Sequence, residues 1–414
     1  MPLLSLPTEI LFLVTQKLDH LELWNAYDTC RVLRSVSAPP LFRAVNIVFD
    51  GNDPLILNSR RFRPFEGSLI GTLKQWATHV RAVEIWGDED SLQAEFFDLL
   101  PLFDRLEAFR HAFLPDYRNK LLRANRDYSI SYPPDLESFQ QLLAQLATVP
   151  SMTTLSVDFM SPRTWMLPMS FKHLRNLQLS CIEHEPGLCV LPDLPSLDTL
   201  ALNFCCYCLD CPRGGNRPST KIRFDSLPHL ACFSVSGAQE GSIICCGQAR
   251  QLRRFEISFS SGLEWATLLQ SLGSNLEAIE ISSCEFAEEP LLPIEYPSLR
   301  SVRILDSTSN ILLFCEAELP CLNDFTIRLH PEDLDSLTSW PPLWRFLREY
   351  PITLSLDCPR DTRAFLDRTD RLLQVVRLPN IRLEGNHWPR AWSLAKAGNS
   401  PALDRAPSVT SCCI

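Results

Sequence analysis

The densest group of side chains that can do chemistry is a set of four thiols in the segment NFCCYCLDCPRGGNRP. Cys205, Cys208 and Cys211 have Cys-x-x-Cys spacing, and Cys206 lies between the first two. Thiolates at this spacing are common zinc ligands, but a closed structural site usually takes two such pairs separated by a folded segment. Four ligands within one short loop also make tetrahedral geometry difficult. We expect no metal here, and zinc binding by this loop is the alternative.

Other patterns that carry chemistry are absent from the sequence. There is no Gly-x-Ser-x-Gly elbow, no phosphate-binding Gly-Lys-Ser/Thr loop, no dinucleotide glycine pattern and no His-Glu-x-x-His helix. The 14 Gly among 414 residues disfavour phosphate cradles, and the eight His are scattered. The sequence therefore predicts a protein that is not an enzyme and uses no cofactor. An enzyme with a convergent site is the alternative from another class.

Charge and hydropathy exclude two further classes of partner. The formal net charge is -10 and no Lys/Arg-rich block occurs, which disfavours nucleic-acid binding as the main role. No run of about 18 apolar residues suggests a membrane span. The apolar stretch LLSLPTEILFLVTQKL has no basic residue before Lys17, unlike an export signal. We expect a cytoplasmic or nuclear protein whose 16 Cys are mostly reduced.

The same apolar stretch has the periodicity of a short helix. Pro7 suits the first helical position, and Ile10, Leu11, Val14 and Leu18 then follow at helical spacing. Two further short helices are predicted over residues 21–27 and 30–40, the last ending at two prolines. Three such helices make too small a core to stand alone. Their apolar face is therefore either a docking surface or a cap on the following domain.

A second pattern, Leu-x-x-apolar-x-apolar, recurs after residue 150. Its spacing is 22 to 24 residues, with one gap of 33. A fixed period of this size predicts a solenoid in which each repeat adds one strand to its neighbour. Weaker copies begin at Val80, Leu106 and Leu378. The clear copies begin at Met152, Leu174, Leu197, Leu230, Leu252, Leu276, Leu299 and Leu322.

Within each repeat the alternation assigns side chains to two faces. Apolar residues at steps 0, 3 and 5 from the first position should point inward, and steps 2, 4 and 6 should line the open, concave face of the sheet. Glu256, Glu280 and Arg303 would then form a row across three strands, with Arg254 and Arg328 close by. This row either contacts a target protein or is a solvated face with self-neutralising charges.

Step 8 offers a structural explanation for two of the cysteines. Cys205 and Cys284 both lie eight residues after the first position of a repeat. In leucine-rich repeats, which this pattern resembles, the step is commonly Asn or Cys, and a buried small polar side chain there can hydrogen-bond to the backbone of the turn. The linking segments that follow are mostly short and proline-rich, and they predict an irregular outer side of the solenoid.

Specific residues add a resemblance to known families. The segments LPTEIL, LELW and TCRVLRSVSAPPLFRAVNI, within residues 3–48, resemble an F-box, and the repeats resemble leucine-rich repeats of fungal F-box proteins. The resemblance implies that the first module binds the Skp adaptor and, through it, a cullin-based ubiquitin ligase. Glu22 and Asp28 depart from the family pattern, and the second departure affects either docking or local packing. The implied adaptor contacts are Leu6, Pro7, Ile10, Leu11, Val14, Leu18, Leu23 and Trp24, supported by Cys30 and Leu33.

Together these observations predict an α/β protein in which a three-helix F-box precedes a horseshoe-shaped, leucine-rich-repeat-like solenoid with parallel strands. The expected function is substrate recognition for a Skp/cullin/F-box ubiquitin ligase, with an unknown target protein on the repeats. The alternative is a binding scaffold outside any ligase, whose first helices cap the solenoid. The expected domains are residues 1–48 for the F-box, 49–388 for the solenoid with clear repeats at 150–330, and 389–414 for a disordered tail.

Overall fold

A computed structural model describes most of the chain between Leu6 and Glu384, in which two compact units are distinguished. Unit 1 comprises Met1–Ala201 with Tyr207–Asn216, and unit 2 comprises Leu202–Cys206 with Arg217–Ile414. The predicted tail and the thiols from Cys205 to Cys211 lie outside the described residues. The described residues are 6–50, 53–58, 61–63, 69–86, 99–112, 136–158, 171–182, 188–191, 193–204, 219–239, 242–263, 268, 271–286, 295–305, 314–315, 317–329, 341–356 and 381–384.

Unit 1 opens with the three predicted helices: α1 (Thr8–Thr15), α2 (His20–Thr29) and α3 (Arg31–Leu41). Helix α2 begins at a capping box, in which the Asp19 side chain accepts the Glu22 N–H at 2.8 Å and the Glu22 side chain accepts the Asp19 N–H at 2.9 Å. The third helix ends at Leu41, one residue after the two prolines at which it was predicted to end. Pro39 and Pro40 thus lie in its last turn, so that few residues of the helix follow them.

The rest of unit 1 is a sheet whose strands mostly run parallel. Strand β1 pairs in parallel with β4, and β4, β5, β6 and β7 follow in the same direction. On its other side β1 pairs antiparallel with β2, and β2 antiparallel with β3. The elements are β1 (Ala44–Asp50), β2 (Asp53–Asn58), β3 (Arg61–Arg63), α4 (Leu69–Trp76), β4 (Ala82–Trp86), β5 (Ala108–Ala112), α5 (Leu136–Thr148), β6 (Thr154–Asp158), β7 (Asn176–Ile182) and β8 (Leu188–Val190).

Strand β9 (Thr199–Phe204) is divided between the units, and unit 2 continues with a second run of parallel strands. There β11, β13, β15, β17, β18, β19 and β20 pair in that order. Short strands also pair in parallel, β10 with β12 and β14 with β16. The elements are β10 (Ser219–Arg223), β11 (Cys232–Ser236), β12 (Ile243–Cys246), β13 (Arg254–Ser258), β14 (Ser261–Leu263), β15 (Ala278–Ser282), β16 (Glu285–Phe286), β17 (Ser301–Leu305), β18 (Asp324–Leu329), α6 (Pro341–Glu349), β19 (Ile352–Leu356) and β20 (Ile381–Glu384).

The fold is thus an α/β solenoid with parallel strands, and the predicted repeat is confirmed. In all eight clear copies the strand begins two residues after the predicted first position. The side chains at steps 0, 3 and 5 are buried in each of them, as at Leu276, Ile279 and Ile281. Stacking buries these apolar rows against those of neighbouring repeats, which is the main source of stability in such an array.

A recurring backbone hydrogen-bond pattern fixes the register between repeats. The carbonyl at step 1 accepts two N–H groups, those of steps 1 and 2 in the next repeat. Arg253 O, for example, accepts Glu277 N–H at 2.8 Å and Ala278 N–H at 2.9 Å. The same pattern begins at Arg43, whose carbonyl accepts the N–H groups of Arg81 and Ala82. Phe42 therefore occupies the first position of an earlier, unpredicted repeat, and the predicted boundary at residue 48 lies within β1.

Two further features differ from the predictions. Strand β19 belongs to an unpredicted repeat, because the register of Phe325 with Ile352 places Glu349, not an apolar residue, at the first position. The outer side was predicted to be irregular, yet it carries the two short parallel pairs and a helical turn at Phe224–Ser226. In the long gap after Leu106, where a degenerate repeat or a helical insert was expected, the described part contains helix α5.

The turns after three successive strands share one unusual backbone conformation. Step 7 has positive φ at Gly237, Phe259 and Ser283, with values of 70, 50 and 50 degrees. Each N–H donates to the carbonyl that ends the next strand, at 2.9 Å in all three cases. The left-handed conformation is accessible to Gly at little cost but strains residues with a Cβ. The repeat geometry, not the local residue type, therefore sets this turn.

Replacement of Tyr296 by Phe should stabilise the protein. Tyr296 is only 1% exposed, and its hydroxyl has no hydrogen-bond partner among the described residues. Burial accordingly raises the pKa of this phenol. Because a buried, unsatisfied hydroxyl costs about 1–3 kcal/mol, Tyr296→Phe should raise the free energy of unfolding by about 1 kcal/mol in urea titrations.

The matched control is Tyr27→Phe, which should have the opposite effect. The Tyr27 hydroxyl accepts a hydrogen bond from Trp76 Nε1 at 3.1 Å. Its removal leaves the indole N–H without that acceptor and should lower stability by about 1 kcal/mol. Equal losses in the two variants would contradict the assignment of an unsatisfied hydroxyl at Tyr296.

Candidate functional site

The first candidate surface is an exposed apolar face on helix α1. Ile10, Leu13 and Val14 are 42%, 56% and 41% exposed, and their i, i+3, i+4 spacing places them on one side of the helix. Pro7, just before the helix, is also exposed. Exposure of large apolar side chains to water is unfavourable, so a partner that covers them would gain free energy of binding.

The exposed apolar residues are concentrated in this module. Leu21 on α2 and Val32 on α3 are exposed as well. Of the eight large hydrophobic residues that are exposed within the described ranges, five therefore belong to the first three helices. We call these five residues, Ile10, Leu13, Val14, Leu21 and Val32, the N-terminal apolar surface.

The opposite face of α1 anchors the helix to its neighbours. Leu11 is 2% exposed, and Thr15, one turn later, is also buried. The Thr15 hydroxyl lies 3.1 Å from the Val36 carbonyl oxygen of α3, within hydrogen-bond distance. Since one side of α1 is packed and the other is not, the exposure of Ile10 and Val14 reflects the orientation of a fixed helix.

The residues expected to contact an adaptor thus lie in two different environments. Pro7, Ile10 and Val14 are exposed, whereas Leu6 and Leu18 are half-buried. Leu11, Leu23 and Trp24 belong to the core of this chain. Sequence reasoning did not select Leu13, Leu21 or Val32. Leu13 could have been found from its i+3 spacing to Ile10, but the other two give no periodic signal.

An aromatic cluster joins the three helices to the first repeat of unit 1. Phe42 stacks on Trp76 of α4 with ring centroids 6.2 Å apart, and Trp24 and Tyr27 each meet Phe42 edge to face. The guanidinium of Arg34 lies 5.1 Å above the Tyr27 ring. Aromatic pairs of this geometry contribute about 0.5–1.5 kcal/mol each beyond area burial. The helices are therefore firmly packed against the start of the solenoid.

The two departures from the F-box pattern have clear structural settings. Glu22 closes the capping box of α2, a role that its longer side chain fulfils at the third helical position. Asp28 is exposed near the end of the same helix. A carboxylate on the surface does not require an apolar pocket, so Asp28 does not disturb the helix core.

The second candidate surface is the polar face of the sheet in unit 2. The register pairs Ser234 with Glu256, Glu256 with Glu280, and Glu280 with Arg303. The predicted row across neighbouring strands is therefore present. Thr326 continues it on the next strand.

Arg254, which lies beside this row on β13, interacts with two of its carboxylates. The Arg254 guanidinium forms an ion pair with Glu256 on its own strand and lies 3.8 Å from Glu280 on the next. The side chains are partly exposed, so each contact contributes at most about 1 kcal/mol. These three groups carry one net negative charge, and with Arg303 on the next strand the four formal charges sum to zero, as the self-neutralising alternative expects.

Arg303 and Arg328, the other two residues predicted for this face, form no ion pair with Glu256 or Glu280. Arg303 is exposed and forms no ion pair with any of the described residues. Arg328 is in a different row, where its register partner is Ser355. Arg328 therefore does not extend the row of Glu256, Glu280 and Arg303.

The described residues contain no cluster of His, Cys, Asp or Glu that could hold a metal ion.

Cys284, at step 8, takes the structural position that was predicted for it. Its thiol is buried and donates to the Ser282 carbonyl at 3.2 Å. Ser260 occupies the same step one repeat earlier, and its hydroxyl donates to Ser258 O and accepts from Ala238 N–H. In these two successive repeats a small polar side chain at step 8 thus hydrogen-bonds to the backbone of the turns.

The comparisons with known proteins add no family. No family model matches the chain, and no curated protein matches it either. Among the helices of the described ranges, none is long and apolar enough to cross a membrane. The function of the two candidate surfaces therefore has to be inferred from their residues and geometry.

Cys284 should resist alkylation in the folded protein. Burial raises the pKa of its thiol to about 11, although hydrogen bonds with the Ser260 and Ser282 backbones oppose the shift. We expect iodoacetamide at pH 8 to modify the exposed Cys321 and to leave Cys284 unmodified, as measured by peptide mass mapping. Rapid modification of both thiols under native conditions would contradict this burial.

The same shift predicts a loss of stability at alkaline pH. The unfolded thiol ionises near pH 8.5, whereas the folded thiol ionises near pH 11. The contribution of this thiol to the free energy of unfolding is complete below the pKa of the unfolded state. It declines as pH rises toward the pKa of the folded state. The urea midpoint should therefore fall between pH 8 and pH 10, and Cys284→Ser should show a smaller fall than the parent chain.

Proposed function

We propose that this protein is the substrate-recognition subunit of a Skp/cullin/F-box ubiquitin ligase. In this proposal the first three helices are an F-box that binds the Skp adaptor, and the repeats are a leucine-rich-repeat-like horseshoe that binds the target. The observation that carries the proposal is the N-terminal apolar surface, which occurs within the segment that resembles an F-box.

The apolar surface favours a binding role because its orientation is fixed. Leu11 and Thr15 pack one side of α1 against the other helices, and the aromatic cluster holds those helices on the first repeat. A partner can therefore cover Ile10, Leu13 and Val14 without first ordering the helix, which lowers the entropic cost of association.

The buried residues of the F-box motif have a different part in this proposal. Leu11, Leu23 and Trp24 support the surface from within, so their replacement would lower stability as well as binding. Ile10 and Val14, with Pro7, are the residues through which the adaptor is contacted directly. Leu13 is added to this set because it is the most exposed of the group.

The solenoid supports target binding through its regular polar face. Side chains at steps 2, 4 and 6 stand on a rigid sheet, and their identity changes from repeat to repeat without disturbing the apolar rows. The ligase would then act by holding a target near a ubiquitin-loaded enzyme, which is catalysis by proximity. No reacting group of this chain is required.

A scaffold outside any ligase is the second candidate, and the burial of Leu11, Leu23 and Trp24 favours it. In that case the first helices only close the end of the apolar core. A cap, however, has no need of five exposed apolar side chains, so the ligase interpretation accounts for more of the observations.

Replacement of Ile10 and Val14 by Ser should weaken adaptor binding while the fold is retained. Each side chain still exposes about two fifths of its surface, so its burial at an interface contributes about 1 kcal/mol. The double variant should bind the purified Skp adaptor about 30-fold more weakly in calorimetry, which corresponds to about 2 kcal/mol.

A matched control is Ile244→Ser, which changes an equally exposed isoleucine on β12 of unit 2. This variant should bind the adaptor like the parent chain, and thermal unfolding should confirm that every variant is folded. No binding by the parent chain, or equal binding by the double variant, would leave the capping role as the better explanation.

A further inference from the structure

Phe259 is the most exposed large hydrophobic residue within the described ranges, at 63%. It follows β13 directly, after Ser258, and has a φ of 50 degrees. Left-handed backbone costs a residue with a Cβ roughly 1–2 kcal/mol. The protein therefore holds an aromatic ring in solvent at a position where glycine would be less strained.

The position of Phe259 is fixed by its repeat. Its N–H donates to Ser282 O at 2.9 Å, and equivalent bonds hold Gly237 and Ser283 in the turns on either side. Both neighbours at this step are small. The phenyl ring is thus exposed just beyond the end of β13, between two turns whose corresponding residues are too small to cover it.

Arg303, on the second strand from β13, is the other unusual exposed group in this part of unit 2. Two other arginines on the sheet pair with a carboxylate on the same or a neighbouring strand: Arg110 with Glu84 at 3.0 Å, and Arg254 with Glu256. Arg303 has Glu280 beside it in register, but Glu280 is already within reach of Arg254. The Arg303 guanidinium forms no ion pair within the described ranges.

We propose that Phe259 and Arg303 together recognise an extended segment of the target that carries one apolar and one acidic side chain. The inference rests on the proposed function, in which the sheet face binds the target. The apolar side chain packs on the Phe259 ring, and the carboxylate pairs with the Arg303 guanidinium, where a planar fork favours two hydrogen bonds.

The sheet geometry sets the spacing between the two side chains. Arg303 lies two strands from Glu256, or roughly 10 Å, and Phe259 lies three residues after Glu256, just beyond the end of β13, or at most roughly another 10 Å. The diagonal is roughly 14 Å. An extended chain advances about 3.3 Å per residue, so the two recognised side chains should be about four residues apart.

Charge complementarity selects an acidic segment that reaches Arg303 and avoids the other charges. Glu256 and Glu280 with Arg254 leave one net negative charge beside the path, which repels a carboxylate placed over β13 or β15. The acidic residue is therefore accepted at the β17 end only. This arrangement gives the bound segment a direction.

The test uses the purified full-length protein and a displayed library of random dodecapeptides. Enriched sequences should contain an Asp or Glu about four residues from a large apolar residue. A synthetic peptide of the enriched sequence should bind the parent chain and lose at least about tenfold in affinity with Phe259→Gly and with Arg303→Glu. A peptide with Lys in place of the acidic residue should restore binding to Arg303→Glu.

Phe259→Gly separates recognition from folding unusually well. Glycine relieves the left-handed strain, so the variant should unfold at the same or a higher temperature than the parent chain while it binds the peptide more weakly. Leu102→Ala and Arg250→Glu are matched controls, since they change an exposed apolar residue and an exposed arginine outside this face. Both should leave peptide binding unchanged.

Three outcomes would overturn the inference: no enriched sequence, enriched sequences without the apolar and acidic pair, or peptide binding that is insensitive to both Phe259 and Arg303. Adaptor binding is measured on the same preparations. Loss of peptide recognition with intact adaptor binding would reject this site alone, whereas intact peptide recognition without adaptor binding would reject the ligase assignment and leave the site in place.

Discussion

The structure depends on the stacking of apolar rows between repeats. The residues at steps 0, 3 and 5 of one repeat, such as Leu252, Phe255 and Ile257, are buried only because neighbouring repeats lie against them. No single repeat of this size could exclude water from its own apolar side. Parallel pairing and the doubled hydrogen bond at each step-1 carbonyl hold the rows in register. The outward-facing side chains can consequently vary while the backbone stays the same.

Much of this architecture could be predicted from the sequence, because a period and an alternation are local properties. The strands after Leu252 and Leu276 begin where the pattern places them, and Glu256 and Glu280 are neighbours as expected. The repeat before β19 was missed since its first position is Glu349. That substitution is tolerated where helix α6 ends, a circumstance that only the tertiary structure reveals.

The functional surfaces were less predictable for a physical reason. Ile10 and Leu11 are both large, apolar and adjacent in sequence, yet the first is exposed and the second is buried. Their difference depends on the direction from which α3 packs on α1, and no spacing within α1 determines it. Phe259 likewise has no local sequence signal for positive φ, because the turns of neighbouring repeats impose its conformation. Arg303 was selected from the sequence, but only the ion pairs of Arg254 distinguish it from the other charges.

The antiparallel meander formed by β1, β2 and β3 has a consequence for how such a chain can change in length. Repeats join by parallel pairing, whereas β2 runs against both of its neighbours. A duplicated repeat that inserts between β4 and β7 has two neighbours that run in its own direction, but within the meander one neighbour would always be antiparallel. Gain or loss of a repeat between β4 and β7 therefore preserves the parallel ladder, and the three helices keep the same first repeat beneath them.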